Sequence, residues 1–123
     1  MMKKEEKRFK PQNDKKTTVC QRDRRSIIEV SNINYINCSG DLTTIYFCND
    51  RKLVNVSKLL IRFEEELSEY GFVRSKRNHL INITKVKEVL NSHGIQLTMQ
   101  NGENVPVSVR KLPIIRKLLE DFE

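Results

Sequence analysis

Between Ser26 and Val56 the chain carries four short runs, SIIEV, NINYIN, TTIYF and KLVNV, each separated from the next by only a few residues. All four are rich in Ile, Val, Tyr and Thr, the β-branched and aromatic residues that suit a pleated, half-buried surface. Ser-Asn, CSGD and CNDRK punctuate them, and residues of these types turn the chain. A parallel pairing would need a crossover of roughly a dozen residues or more, usually a helix. No such length is available here, so the segment predicts a series of short antiparallel strands.

VSKLLIRFEEELSEYG breaks the alternation, because Leu60, Phe63, Leu67 and Tyr70 recur at spacings of three, four and three and form one helical stripe. Ser57 is a suitable N-cap and Gly71 a suitable residue just past the end. Glu64, Glu65, Glu66 and Glu69 crowd the other faces, so this helix is expected to turn away from any polyanion. Strand patterns return in VKEVLN, IQLTM and NVPVS, and Asn101-Gly102 predicts a two-residue hairpin turn. Leu112, Ile115, Leu119 and Phe122 then mark a C-terminal helix, with Pro113 in a first turn that tolerates it. The predicted class is mainly β: short antiparallel strands with one central short helix and a C-terminal helix.

The 123 residues suffice for one small domain, and 37% hydrophobic content allows a modest core. The charge is polarised. Residues 1–26 hold ten Lys/Arg against four Asp/Glu, and residues 74–87 hold five (Arg74, Lys76, Arg77, Lys85 and Lys87) against none. The intervening residues 27–73 hold four against seven, and residues 88–123 four against five, which leaves a formal net charge of +7. That excess favours polyanionic partners. Residues 1–25 are polar and nearly free of apolar side chains, and read as a basic, flexible N-terminal arm, with residues 26–123 as the folded domain. The arm serves either as a solubilising tail or as a second electrostatic contact.

Three cysteines without CxxC spacing, Cys20, Cys38 and Cys48, point to reduced thiols. With no apolar stretch behind the basic start and no membrane-length run, a soluble, cytoplasmic protein is expected. His79 and His93 are too isolated to form a metal site, and the four glycines make no phosphate-cradling loop. An enzyme is not expected, nor a cofactor, metal or small-molecule substrate.

The most distinctive stretch is FVRSKRNHLIN, residues 72–82, where Arg74, Lys76 and Arg77 lie between the apolar pairs Phe72-Val73 and Leu80-Ile81. One clean half-buried strand would alternate, so the pattern predicts a strand end, an exposed bend and a return to the core. Clustered Arg and Lys on such a bend can neutralise phosphates and release counterions. The stretch resembles the LytTR DNA-binding domain of bacterial response regulators, whose pattern runs phenylalanine, apolar, arginine, a basic or histidine pair, a small polar residue, an aromatic, two apolar residues and asparagine. INYINCSGDLTTIYF, VSKLLIRFEEEL and NGENVPVSVRKL are similar to that family's early strands, single helix and terminal signature, so the likeness runs from about Ile27 to Phe122.

The resemblance implies a LytTR-like sandwich of stacked antiparallel sheets that inserts loops into the grooves of double-stranded DNA. Three loop regions would meet DNA: Ser39 to Thr44, the stretch ending at Asn82, and the arginine after Val-Ser, Arg110. The base-contact candidates are therefore Asn82, Arg110, Thr43 and Thr44. Arg110 offers a planar fork to guanine and Asn82 a bidentate amide to adenine, each worth about 1–3 kcal/mol of discrimination. Arg74, Lys76, Arg77, Asn78, His79, Lys85, Lys87, Ser108 and Lys111 are the phosphate-contact candidates, which set register without reading sequence. The sequence departs from the family's pattern in two places. Lys76 and His79 replace a histidine and an aromatic, and Asp41, Leu42, Thr43 and Thr44 stand where Asn, Tyr, His or Arg is frequent.

The resemblance thus implies transcriptional regulation in a bacterium, with two copies on repeated half-sites, for which a homodimer on DNA is one arrangement. The chain is either a stand-alone regulator or one domain of a longer protein, and MMKKEEK reads as a natural start. The altered first loop favours an alternative, a protein-interaction module that antagonises or partners a related regulator without base readout.

Overall fold

The computed structural model describes residues 9–91 and 94–120. His93 and Phe122 lie outside them. Among the described residues, ten strands form three antiparallel sheets, with one short helix between the fifth and sixth strands and a second after the tenth. The central sheet has the order β5-β4-β3-β7-β6, built from β3 (Ile33–Ser39), β4 (Leu42–Phe47), β5 (Lys52–Val56), β6 (Phe72–Lys76) and β7 (His79–Asn82). A second sheet runs β10-β9-β8, from β8 (Val86–Asn91), β9 (Ile95–Met99) and β10 (Asn104–Pro106). The mainly β, antiparallel class read from the sequence is the one observed.

The central sheet is buried on both faces. One face packs α1 (Leu60–Leu67) through Leu60, Phe63 and Leu67 against Ile33, Ile36, Ile45 and Leu80. The other packs Tyr35 and Ile81 against Leu97, Met99 and Val105 of the second sheet and Ile115 of α2 (Leu112–Glu120). This two-sided burial explains the adjacent apolar pairs Phe72-Val73 and Leu80-Ile81, whose members serve opposite cores. Phe63 is fully buried, and Phe63→Ala would cost about 3–5 kcal/mol.

Three local features differ from the sequence reading. The expected flexible arm is ordered from Phe9 onward: β1 (Lys16–Gln21) and β2 (Arg24–Glu29) make a hairpin, with Thr17 and Val19 facing inward. A single strong apolar residue in KTTVCQ hid this strand. Ser57 does not cap α1: its N–H donates to the Cys20 carbonyl at 2.8 Å, the chain bends at Ser57 and Lys58, and the N-cap is the extended Leu59. The β9–β10 turn has three residues instead of two. Gly102 N–H bonds Met99 O and Met99 N–H bonds Glu103 O, with Gly102 at φ 91°, the form of a type I turn closed by a glycine bulge. Gly71 ends the helical segment as expected, at φ 94°, and a Cβ there would approach Ile83 Cγ2 to 3.4 Å.

Candidate nucleic-acid interface

The β6–β7 connection is a two-residue turn, Arg77-Asn78, closed by pairing of Lys76 with His79. A bulge between Arg74 and Lys76 accommodates the buried Ser75. This turn is tied to its neighbours by backbone bonds. The Asn78 carbonyl accepts the Cys38 N–H at 2.9 Å, beside the Gly40-Asp41 turn that joins β3 to β4. The Ser75 carbonyl accepts the Ser108 N–H at 2.8 Å, which fixes the segment leading into α2. Three stretches far apart in sequence, 39–44, 74–79 and 108–111, are thereby joined at one end of the central sheet. The expected strand, bend and return is what forms here.

Cross-strand register lines up Thr44, Asn37, His79 and Lys76 in one polar row over β4, β3, β7 and β6. The row borders the core, since the next one inward is Tyr46, Tyr35, Ile81 and Val73. Tyr35 and Tyr46 stack there at 4.4 Å between centroids, and burial first, then the Glu103 carboxylate, raises the Tyr35 phenol so that it stays neutral. Asn37 Nδ2 lies 3.2 Å from His79 Nε2 and donates to the Asn78 carbonyl at 3.2 Å, while His79 Nδ1 lies 2.9 Å from Asn78 Oδ1. A neutral ring carrying its proton on Nδ1 satisfies both contacts. Burial, with Lys76 close by, lowers the His79 pKa and favours that neutral form. His79 in this form braces the turn through Asn37 and Asn78.

The cations of the window separate into three groups. Arg74 turns inward: its Nε lies 3.1 Å from Glu64 Oε1, an ion pair without hydrogen-bond alignment, and its Nη1 donates to the Arg77 carbonyl. Expected as a phosphate contact, its side chain is tied beneath the turn by these two partners. The acidic helix is accordingly not held wholly apart from the cationic window. Lys76, Arg77 and Asn78 are exposed at the tip, together with Arg110 across the Ser108–Ser75 link, and Lys111 is half-buried beside it. Ser108 Oγ accepts from the Lys111 N–H at 3.3 Å, so this hydroxyl helps shape the approach to α2.

Lys85 and Lys87 lie elsewhere. Lys85 follows β7, whose last residue Asn82 bonds the Ile33 carbonyl at the opposite end of β3, and it stands near Cys48, whose thiol pKa is raised by burial and drawn back by Lys85. β3 has seven residues, so roughly 20 Å of strand separates the two ends. The five cations thus form no single surface.

Asn82 is 0% exposed and Thr43 2%. The Asn82 amide exchanges bonds with Gln12, donates to the Ile33 carbonyl and accepts from the Thr84 N–H and hydroxyl. It has no free group for a base, and its work is to join the end of β7 to β3 and to the N-terminal segment. Thr43 faces inward between Cys38 and Val56, whereas Thr44 stays half-buried in the polar row. Asn37 and Gln12 went unnoticed in the sequence. Alternation along YIN would have put Asn37 on the Tyr35 face, but nothing local marks Gln12. Among the described residues no His/Cys/Asp/Glu group is arranged to hold a metal, and no helix is long and apolar enough to cross a membrane.

The family described as the LytTr DNA-binding domain matches residues 23–120. Among solved structures, the chain is similar to one described as the LytTr DNA-binding domain of a methyl-accepting/DNA response regulator from Bacillus cereus. The TM-score is 0.68 at 26% identity, over 85% of this chain and 95% of that one. No curated protein matches. The family match spans the central sheet, both helices and all three joined loops, and the chain belongs to the LytTr DNA-binding domain family.

Proposed function

We propose that the joined loop end binds double-stranded DNA with a sequence preference and regulates transcription in a bacterial cytoplasm. The observation that carries this reading is the pair of backbone bonds, Cys38 to Asn78 and Ser108 to Ser75, which gathers Lys76, Arg77, Arg110 and Lys111 on one edge. Arg110 is the base reader in this account, since its exposed guanidinium has the fork that matches guanine O6 and N7. Lys76, Arg77 and Lys111 hold phosphates, and Thr44, Asn78 and Ser108 add neutral contacts. Two copies would occupy a repeated half-site.

A second reading, docking to a partner protein in place of base readout, draws on the first loop, where Asp41 repels phosphate and Leu42 is 54% exposed. Selection from a random duplex pool at physiological salt, with wild type and Arg110→Ala in parallel, separates the two. Enrichment of one motif, with preference at a defined guanine lost in the variant, supports DNA reading. Absence of any motif, with both proteins binding alike or not at all, overturns it.

A further inference from the structure

We propose that Val109 reads the C5-methyl group of a thymine next to the base that Arg110 contacts; this rests on the duplex-binding reading above. Val109 is 84% exposed, more than any other large hydrophobic residue among those described. A lone exposed valine is ordinary. The backbone around this one, and the charges beside it, are what point to a ligand. On its N-terminal side Val107 is buried and donates to the Ile95 carbonyl at 3.2 Å, and the Ser108 N–H is held by Ser75. On its C-terminal side the N–H groups of Lys111 and Leu112 both bond the Ser108 carbonyl at 3.1 Å.

The isopropyl group is therefore presented on a fixed loop, and its β-branched side chain has little χ1 freedom of its own. Arg110 follows it in sequence, and Lys76 and Arg77 lie across the Ser75 link. An apolar group on the same loop end as these cations suits a surface that is polyanionic overall but carries an apolar feature within it. In the major groove that feature is the thymine methyl, which no other base carries there. A protein partner would be expected to meet such cations with acids and to cover the apolar residue by its own side chains.

The test uses the duplex motif obtained by selection. Each thymine is replaced in turn by deoxyuridine, which removes the methyl and preserves pairing and phosphates. Binding is titrated with wild type, Val109→Ala and Val109→Thr. Loss of one methyl contact is expected to weaken wild-type binding about three- to fivefold at a single thymine, adjacent to the Arg110-dependent guanine. Val109→Ala should show a similar loss on the thymine duplex and no further loss on the deoxyuridine duplex. Val109→Thr, which keeps one methyl, should fall between and serves should the alanine variant not fold. A motif with no methyl-sensitive thymine, or a Val109→Ala loss of equal size on both duplexes, overturns the proposal and leaves duplex reading intact. No motif at all overturns both.

Discussion

The side-chain amides of Gln12 and Asn82 bond each other twice, Gln12 Nε2 to Asn82 Oδ1 at 2.9 Å and Asn82 Nδ2 to Gln12 Oε1 at 3.1 Å. Gln12 also donates to the Tyr70 carbonyl at 2.5 Å, so one residue near the N-terminus clamps the end of the α1 region to the end of β7. Asn82→Ala should destabilise the fold by about 1–3 kcal/mol, because the Ile33 carbonyl and the Gln12 amide lose buried partners. Gln12→Ala should cost less, with a positive coupling between the two in a double-mutant cycle by urea denaturation. For protein that remains folded, duplex affinity should change little in either variant, in contrast to Arg110→Ala.

The salt dependence of binding should sort the cations. Lys76→Ala and Arg77→Ala are each expected to reduce the slope of log K against log salt by about 0.9, the value for one phosphate contact. Arg74→Ala should leave the slope nearly unchanged while lowering the unfolding midpoint, because its partners are Glu64 and the Arg77 carbonyl. Lys87→Ala should alter neither, since it lies on β8 of the second sheet, beyond the end of β7 that is remote from the turn. Titrations at several salt concentrations check all four.

Acid should loosen the turn through His79. The folded-state pKa lies below the ordinary 6.5, so the unfolded chain binds the proton more readily and stability rises with pH across that interval. Stability is complete above about 6.5 and falls as pH drops from there through the lowered folded value. Protonation would leave Asn37 Nδ2 facing a donor instead of an acceptor. His79→Ala should lower the urea midpoint at pH 7.5 and remove this share of its fall on acidification to pH 5.

A chain beginning at Ser26 should fold poorly. It would lack Phe9 beside Gly71, the Gln12 clamp, and Thr17 and Val19 on the inner face of β1. Circular dichroism during urea denaturation should give a much lower midpoint than for the full chain, or no cooperative transition.

This last expectation marks where the sequence stops being informative. Strands β2 to β10 and both helices announce themselves by β-branched and apolar runs between turn residues or by helical spacing, even where a central strand buries both of its faces. β1 does not, since Thr17 is buried through its hydroxyl bonds to Glu66 and Lys58 and not through apolarity. The site divides in the same way. The turn at Arg77-Asn78 and the exposure of Arg110 follow from local pattern. The burial of Asn82 and Thr43, the inward turn of Arg74 and the separation of Lys85 from Lys76 depend on which strands pair. Charge counted along a sequence window cannot report that β7 carries it from one end of a sheet to the other.

The most direct measurement is backbone amide shift mapping of the labelled protein titrated with its selected duplex. The account predicts the largest changes at residues 39–44, 76–79 and 108–111, with Lys85, Lys87 and the Asn101-Gly102 turn nearly silent. Large changes centred on Lys85 to Lys87, with the joined loop end unaffected, would contradict it.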